Sequence, residues 1–176
     1  MREVWKLGLK LLIITVVAGL ALGFTNEITK AAIEKQAIAA EEAARKTILP
    51  DASEFEKIET VPDGIDNVYV GKINGEPVGY IAQITVKGYG GLIEVMVGMD
   101  NKGVITGINV GGGKFAETAG LGARSKEPKF MNQFIGLTPP AVLKENVDAI
   151  SAATITSTAV VNAVNTASEY IKTLLG

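Results

Sequence analysis

Seven residues, Asp148-Ala-Ile-Ser-Ala-Ala-Thr154, lead directly into a helix-forming tail. Small side chains and hydroxyls at a helix start leave backbone N–H groups open at the positive end of the helix dipole, a setting that favours phosphate. Thr154 adds a hydroxyl oxygen able to carry a phosphoester, and Ala152-Ala153 beside it leave room for a bulky group. Ser151, Thr156, Ser157 and Thr158 crowd the same turn, and hydroxyls there equally suit plain N-terminal capping. On residue chemistry alone both readings stay open. Ala152 carries a condition: if the backbone there needs φ > 0, alanine costs about 1 kcal/mol or more relative to glycine.

Two glycine-rich segments offer a second kind of chemistry. Glu117-Thr-Ala-Gly-Leu-Gly122 predicts a tight turn whose backbone can lie against a flat ring, with Glu117 and Thr118 as polar groups that reach its edge or orient the loop. A simple connector with Glu117 in solvent fits the same residues. Gly88-Tyr-Gly-Gly-Leu-Ile93 enters a strand and carries Tyr89, an aromatic able to stack; Phe115, Phe130 and Phe134 are further aromatics better assigned to packing. Gly111-Gly-Gly-Lys-Phe-Ala116 imitates a dinucleotide fingerprint, but no strand–helix–strand unit surrounds it. Gly113-Lys114 is no phosphate loop either, because Phe115 stands at the Ser/Thr position.

Composition removes several classes. The 176 residues include neither cysteine nor histidine, so disulfides, iron–sulfur clusters, thiolate metal sites and histidine-based triads have no residues to build them. A general base would be a carboxylate, lysine or tyrosine. Net charge is −2, and only three of the 17 cations and one of the 19 anions precede Thr25, so the remainder is mildly acidic and no nucleic acid is expected.

The elements that must position these residues begin with an apolar segment. Leu7 to Phe24 spans about 27 Å as a helix, near the thickness of a bilayer core. Arg2 and Lys6 precede it, Lys10 lies near its start and mixed charges follow, so the positive-inside rule puts the N-terminus in the cytoplasm and the rest outside. A retained anchor is expected; the competing reading is a signal peptide cleaved after Ala21-Leu-Gly23. Asn26 to Leu49 predicts a helix with a thin apolar stripe at Ile28, Ala32, Ala39 and Ala43, a solvated stalk ended by Pro50-Asp51. The organisation expected is a transmembrane anchor over 1–25, a helical linker over 26–50 and a domain over 51–176.

Within that domain Val68–Ile73 and Val78–Val86 flank the turn signal Asn74-Gly-Glu-Pro77, and Leu92–Met99 and Val104–Val110 flank Asp100-Asn-Lys-Gly103. Tyr80, Ala82, Ile84 and Val86 alternate with Gln83, Thr85 and Lys87, giving one wetter face. The acid-rich stretch Asp51–Glu59 reads as solvated surface. Val160, Val164, Ala167, Ile171 and Leu174 form one apolar stripe of a helix from about Thr154 to Leu175. The fold class is α+β: an antiparallel sheet meander packed by a C-terminal helix, with an N-terminal transmembrane helix.

The Thr154 segment resembles the flavinylation motif of the FMN-binding domain family, Asp-x-x-(Ser/Thr)-(Gly/Ser/Ala)-Ala-Thr, with Ala152 where glycine is usual. Glu117–Gly122 resembles the Glu-Thr-Pro-Gly-Leu-Gly segment these domains place against the flavin, with Ala119 for proline and no histidine ahead of it. Gly88–Gly91 resembles their Gly-Tyr-Gly-Gly step. With the anchor and Thr29-Lys30-Ala31-Ala32-Ile33, the chain is similar to the family of G subunits of the Rnf ion-translocating electron-transport complexes. It is also similar in motif to C subunits of the sodium-pumping NADH:quinone reductase, which are usually longer.

The resemblance implies FMN attached covalently through its phosphate to Thr154. It implies cofactor contacts from Ser151, Ala152, Ala153, Thr156, Ser157, Glu117, Thr118, Gly120, Leu121 and Gly122, with no catalytic residue and no metal ligand in the chain. The role implied is a redox subunit without turnover of its own, in a complex coupling ferredoxin/NAD electron transfer to Na+ or H+ translocation. Implied partners are other membrane and peripheral subunits, the lipid bilayer, and a flavin transferase for maturation that uses FAD and a metal. The location implied is the prokaryotic inner (plasma) membrane, single-pass, with the FMN domain on the extracytoplasmic side. Two other classes remain to be discriminated: a cofactor-free membrane-tethered interaction domain, and a secreted flavin-binding reductase released by cleavage after Gly23.

Overall fold

The computed structural model describes residues 2–113 and 115–176, apart from the side chains of Arg2, Ala31 and Glu34. Lys114, in the glycine run set aside above, and Met1, in the anchor span, lie outside the described residues, as do the side chains of Arg2 and Ala31 invoked for orientation and motif. The chain divides into two compact units, Met1–Ala40 and Glu41–Gly176.

Helix α1, Arg2–Ile48, begins in the first unit and ends in the second. In the first, Glu3–Lys30 is long and apolar enough to cross a membrane, and its apolar stretch is not buried by protein. Thr15 and Thr25 donate their hydroxyls to the carbonyls of Leu11 and Ala21, at 3.0 and 2.9 Å. Such self-satisfied hydroxyls are what a hydrocarbon setting demands.

The second unit holds a five-stranded antiparallel sheet in sequential order: β1 Glu54–Ile58, β2 Asn67–Ile73, β3 Glu76–Lys87, β4 Leu92–Asp100 and β5 Ile105–Gly111. The β2–β3 hairpin turns on Asn74-Gly75, both at positive φ (51° and 85°), the conformation a two-residue hairpin loop requires. The β4–β5 turn is closed by the Asp100 carboxylate, whose Oδ1 accepts N–H bonds from Lys102 and Val104, each 2.9 Å. After β5 come a 3-10 turn Gly122–Lys126, the short helix α2 Pro128–Met131, a second 3-10 turn Asn132–Phe134 and the long helix α3 Thr154–Leu175.

The meander and α3 follow the sequence pattern, with one strand more than the four expected. β1 is short, and its Glu54, Glu56 and Lys57 are exposed, so its residues read as surface while its backbone pairs with β2. Charge on a short edge strand discourages further pairing.

The two faces of the sheet are covered differently. On one, α3 lays Val160, Val164, Ala167 and Ile171 against Ala82, Ile84, Ile93, Val95 and Val97, all buried. Phe130 and Phe134 complete that core edge to face, 5.6 Å apart. On the other face, the end of α1 is buried: Ile48, its last residue, and Leu49 just after it pack with Ala52, Ile81 and Met96. This corrects the solvated-stalk reading at its last two residues and the wet reading of Gln83, while Thr85 and Lys87 on the same side of β3 are exposed as the alternation implied. The floor under Ile48 and Leu49 is a row of glycines, Gly71, Gly79, Gly98 and Gly107, one from each of β2 to β5. A Cβ at Gly71 would lie 2.4 Å from Leu49 Cδ2, and one at Gly98 2.3 Å from Ile48 Cγ2. Further along this face Gln83, 4 % exposed, accepts from Asn67 (3.1 Å) and donates to Glu94 (3.3 Å), which is how a polar side chain is tolerated there.

Candidate functional site

The start of α3 is held by side chains on both sides of it. Gln133 clasps the backbone of Asp148, accepting its N–H at 2.7 Å and donating to its carbonyl at 3.4 Å. Ser157, fully buried, accepts the Ile150 N–H and donates to the Ala153 carbonyl, both at 3.0 Å. Further along the helix, Asn165 exchanges two 2.8 Å bonds with Ala141. These ties fix the chain entering Ala152, whose φ is +61°. The condition set by the sequence is therefore met: Ala152 sits in the left-handed region, a strain of about 1 kcal/mol.

Capping departs from the expectation. The N-cap of α3 is Ala153 (φ −132°, ψ 45°), which has no side-chain acceptor to offer. The hydroxyls of Thr154, Thr156, Ser157 and Thr158 lie inside the helix. Among the described residues, the backbone N–H groups of Thr154, Ile155 and Thr156 have no protein partner. A 22-residue helix thus opens on uncapped donors, where an anion gains both hydrogen bonds and the dipole. Thr154 is exposed at this end, and its hydroxyl has no protein partner among the described residues.

Glu117 faces this helix from the loop after β5. Its Oε1 accepts the Gly90 N–H at 3.0 Å, and its Oε2 accepts the hydroxyl of the buried Thr156 at 2.9 Å. The carboxylate fills space that a side chain on Gly88 or Gly122 would take: a Cβ there would stand 2.2 and 2.0 Å from its oxygens. Gly120, at φ +77°, makes the turn in which Leu121 and Ala123 donate to the Thr118 carbonyl, each at 3.1 Å.

These segments enclose a cleft of about 420 Å³, in the range of small-molecule sites. Tyr89, Glu117, Thr118, Leu121, Gly122, Ala152, Ala153, Thr154, Ile155 and Thr156 line it. The structure thus brings together most of the expected site residues, includes Tyr89, the aromatic the sequence offered for stacking, and adds Ile155. It does not bring in three others. Gly120 serves the turn, Ser157 lies beneath the helix, and Ser151 opens onto a neighbouring cleft of about 380 Å³ with Arg124, Lys129 and Asp148. The lining suits a ligand with two ends. Uncapped N–H groups and alanine-sized neighbours fit a phosphate, while the exposed Tyr89, Leu121 and Ile155 fit an apolar ring. Ile155 escaped sequence reading because it breaks the apolar stripe of α3, a signal that could have marked it as functional.

Comparison with known proteins bears on the same residues. An FMN-binding domain family model matches residues 88–169, from the β3–β4 loop through most of α3. The chain is 35% identical to the G subunit of the Na+-translocating ferredoxin:NAD+ oxidoreductase complex of Acetobacterium woodii, over 93% of this chain and 89% of that one. It is 35% identical to the G subunit of the ion-translocating oxidoreductase complex of Methanosarcina acetivorans, over 97% and 95%. Among solved structures, the C subunit of the Na+-translocating NADH-quinone reductase from Parabacteroides distasonis matches with a TM-score of 0.53 and 25% identity, covering 71% of this chain and 79% of that one.

Proposed function

We propose a function from a fixed premise: the chain belongs to the family of ion-translocating oxidoreductase complex G subunits and carries an FMN-binding domain. It is an electron carrier, anchored in the membrane by Glu3–Lys30, with FMN joined to Thr154 through a phosphoester. The observation that carries this reading is the uncapped start of α3 beside the exposed Thr154, opening on a cleft of about 420 Å³.

Each part of the cleft has a task in this reading. The N–H groups of Thr154, Ile155 and Thr156 hold phosphate oxygens, and Ala152 and Ala153 keep the approach clear. Tyr89, Leu121 and Ile155 cover the ring and keep water from it. The flavin itself supplies the redox chemistry, taking electrons from one partner and yielding them to another. A covalent bond keeps the cofactor in place outside the cytoplasm, where replacement is scarce.

The chain holds no histidine to activate the Thr154 hydroxyl, so attachment falls to a separate flavin transferase using FAD and a metal. The protein has no turnover of its own. It serves a complex of membrane and peripheral subunits that couples ferredoxin/NAD electron transfer to Na+ or H+ movement, with its N-terminus cytoplasmic and its FMN domain outside. The test is the intact mass of the denatured chain after co-expression with a flavin transferase. A gain of FMN less one water in the wild type, absent in Thr154→Ala, is expected. An unmodified wild-type chain sinks the covalent carrier and returns the Thr154 turn to an ordinary helix start.

A further inference from the structure

We infer that Glu117 is the positioning residue of the flavin cleft, bracing three segments of chain from beneath. Sequence reading put this carboxylate at the edge of the ring, in a role orienting its own loop, or in solvent. Both of its oxygens are instead engaged by protein: Gly90 on the β3–β4 loop donates to one at 3.0 Å and Thr156 on α3 to the other at 2.9 Å. The partners lie 27 and 39 residues away in sequence, and no other side-chain bond among the described residues joins these loops. The backbone has been cleared for the contact. Gly88 and Gly122 leave the carboxylate's volume empty, and Gly90 lies on the Ala116 carbonyl, where a Cβ would come within 2.3 Å.

The geometry has a direct consequence for the cleft. Tyr89 sits between the two glycines of one braced loop, Leu121 beside Gly122, and Ile155 beside Thr156. The three apolar side chains that face the cleft are thus each next to an atom fixed by, or in contact with, one carboxylate. Thr156, 1 % exposed, spends its hydroxyl on the brace and leaves Thr154 as the open hydroxyl of that turn. The functional consequence rests on the FMN reading, while the brace is a property of the protein alone.

Amide exchange on the unmodified full-length chain in detergent tests the brace without any cofactor. In Glu117→Ala, exchange at Gly90 rises about tenfold, the loss expected when one charge-assisted bond is removed. Glu117→Gln keeps both contacts, accepting from Gly90 and donating to Thr156, and stays within about twofold of wild type. Unchanged exchange in Glu117→Ala, or equal loss in Glu117→Gln, overturns the inference. Gly122→Ala reaches the same point by another route, since its Cβ evicts the carboxylate. It reproduces the Glu117→Ala exchange at Gly90 by itself and adds nothing there in the Glu117→Ala background, although its Cβ also meets the Thr156 hydroxyl at 2.8 Å; additive effects at Gly90 overturn the brace. Should Glu117→Ala fail to fold, Thr156→Val, which removes one arm, is expected to free the start of α3, and unaltered exchange there has the same force. On the loaded protein, iodide quenching of flavin fluorescence rises several-fold in Glu117→Ala, and Glu117→Gln restores the wild-type value. A wild type that takes no flavin fails the FMN reading while the exchange data still decide the brace. A loaded wild type with unaltered exchange in Glu117→Ala fails the brace alone.

Discussion

Two hollows in this protein are made by leaving out side chains, and they are filled with opposite chemistry. Gly71, Gly79, Gly98 and Gly107 form a floor that takes Ile48 at the end of α1 and Leu49 after it. Gly88, Gly90 and Gly122 form a socket that takes the carboxylate of Glu117. The floor gains its energy by burial, about 1.5–3 kcal/mol for each large aliphatic side chain. The socket gains less, because each hydrogen bond replaces one to water, but it dictates direction as burial cannot. The floor therefore sets how stable the sheet is, and the socket sets where the cleft's walls stand.

Substitutions can break that division. Leu49→Ala is expected to cost about 3 kcal/mol in thermal or denaturant unfolding while the fraction of chain carrying FMN at Thr154 stays unchanged; lost loading would join the two hollows into one unit. Gly79→Ala puts a Cβ 2.3 Å from the Met99 carbonyl and 3.0 Å from Leu49, and is expected to cost about 2 kcal/mol, again without effect on loading. Ala152→Gly runs the other way, raising stability by about 0.5–1 kcal/mol as the strain at φ +61° is relieved, read as a higher Tm. An unaltered Tm would mean the turn relaxes to accept alanine. The smallest effect belongs to Glu56, exposed on β1 outside both hollows. Its hydrogen bond with Lys72, and then that lysine's charge, hold its carboxyl below the ordinary value. A depressed carboxyl stabilises above its unfolded pKa and loses that gain as pH falls through the folded one. The wild type and Glu56→Gln should differ slightly at neutral pH and converge in acid, and curves that stay parallel would remove the pair from the account.

What sequence made visible followed from local pattern. Alternation and the turn residues Asn74-Gly75 and Asp100–Gly103 marked β2 to β5, and the stripe Val160–Val164–Ala167–Ile171 marked α3. The Thr154 segment was legible because its chemistry is contiguous. What stayed hidden depended on partners far along the chain. Gln83 looked wet because its hydrogen-bond partners, Asn67 and Glu94, come from the neighbouring strands. β1 looked like surface because only its backbone takes part in the sheet. The hydroxyl run suggested a capped helix, yet the cap position falls on Ala153, one residue ahead of the hydroxyls that start at Thr154. Glu117 looked solvated for the same reason as Gln83: its partners, Gly90 and Thr156, come from either side of it in the chain.

The buried pair at the end of α1 also decides where the molecule can be cut. Ile48 and Leu49, each 1 % exposed, belong to the sheet as much as any strand residue, although they sit on the linker. A water-soluble fragment beginning at Asp51 would leave the glycine floor bare, an apolar trough across four strands that invites aggregation. A fragment beginning at Glu41 keeps the plug, and with it Arg45, whose guanidinium lies 4.4 Å from the Tyr69 ring and screens that edge. Limited proteolysis should follow the same border, with cleavage upstream of Ala44 yielding a stable core.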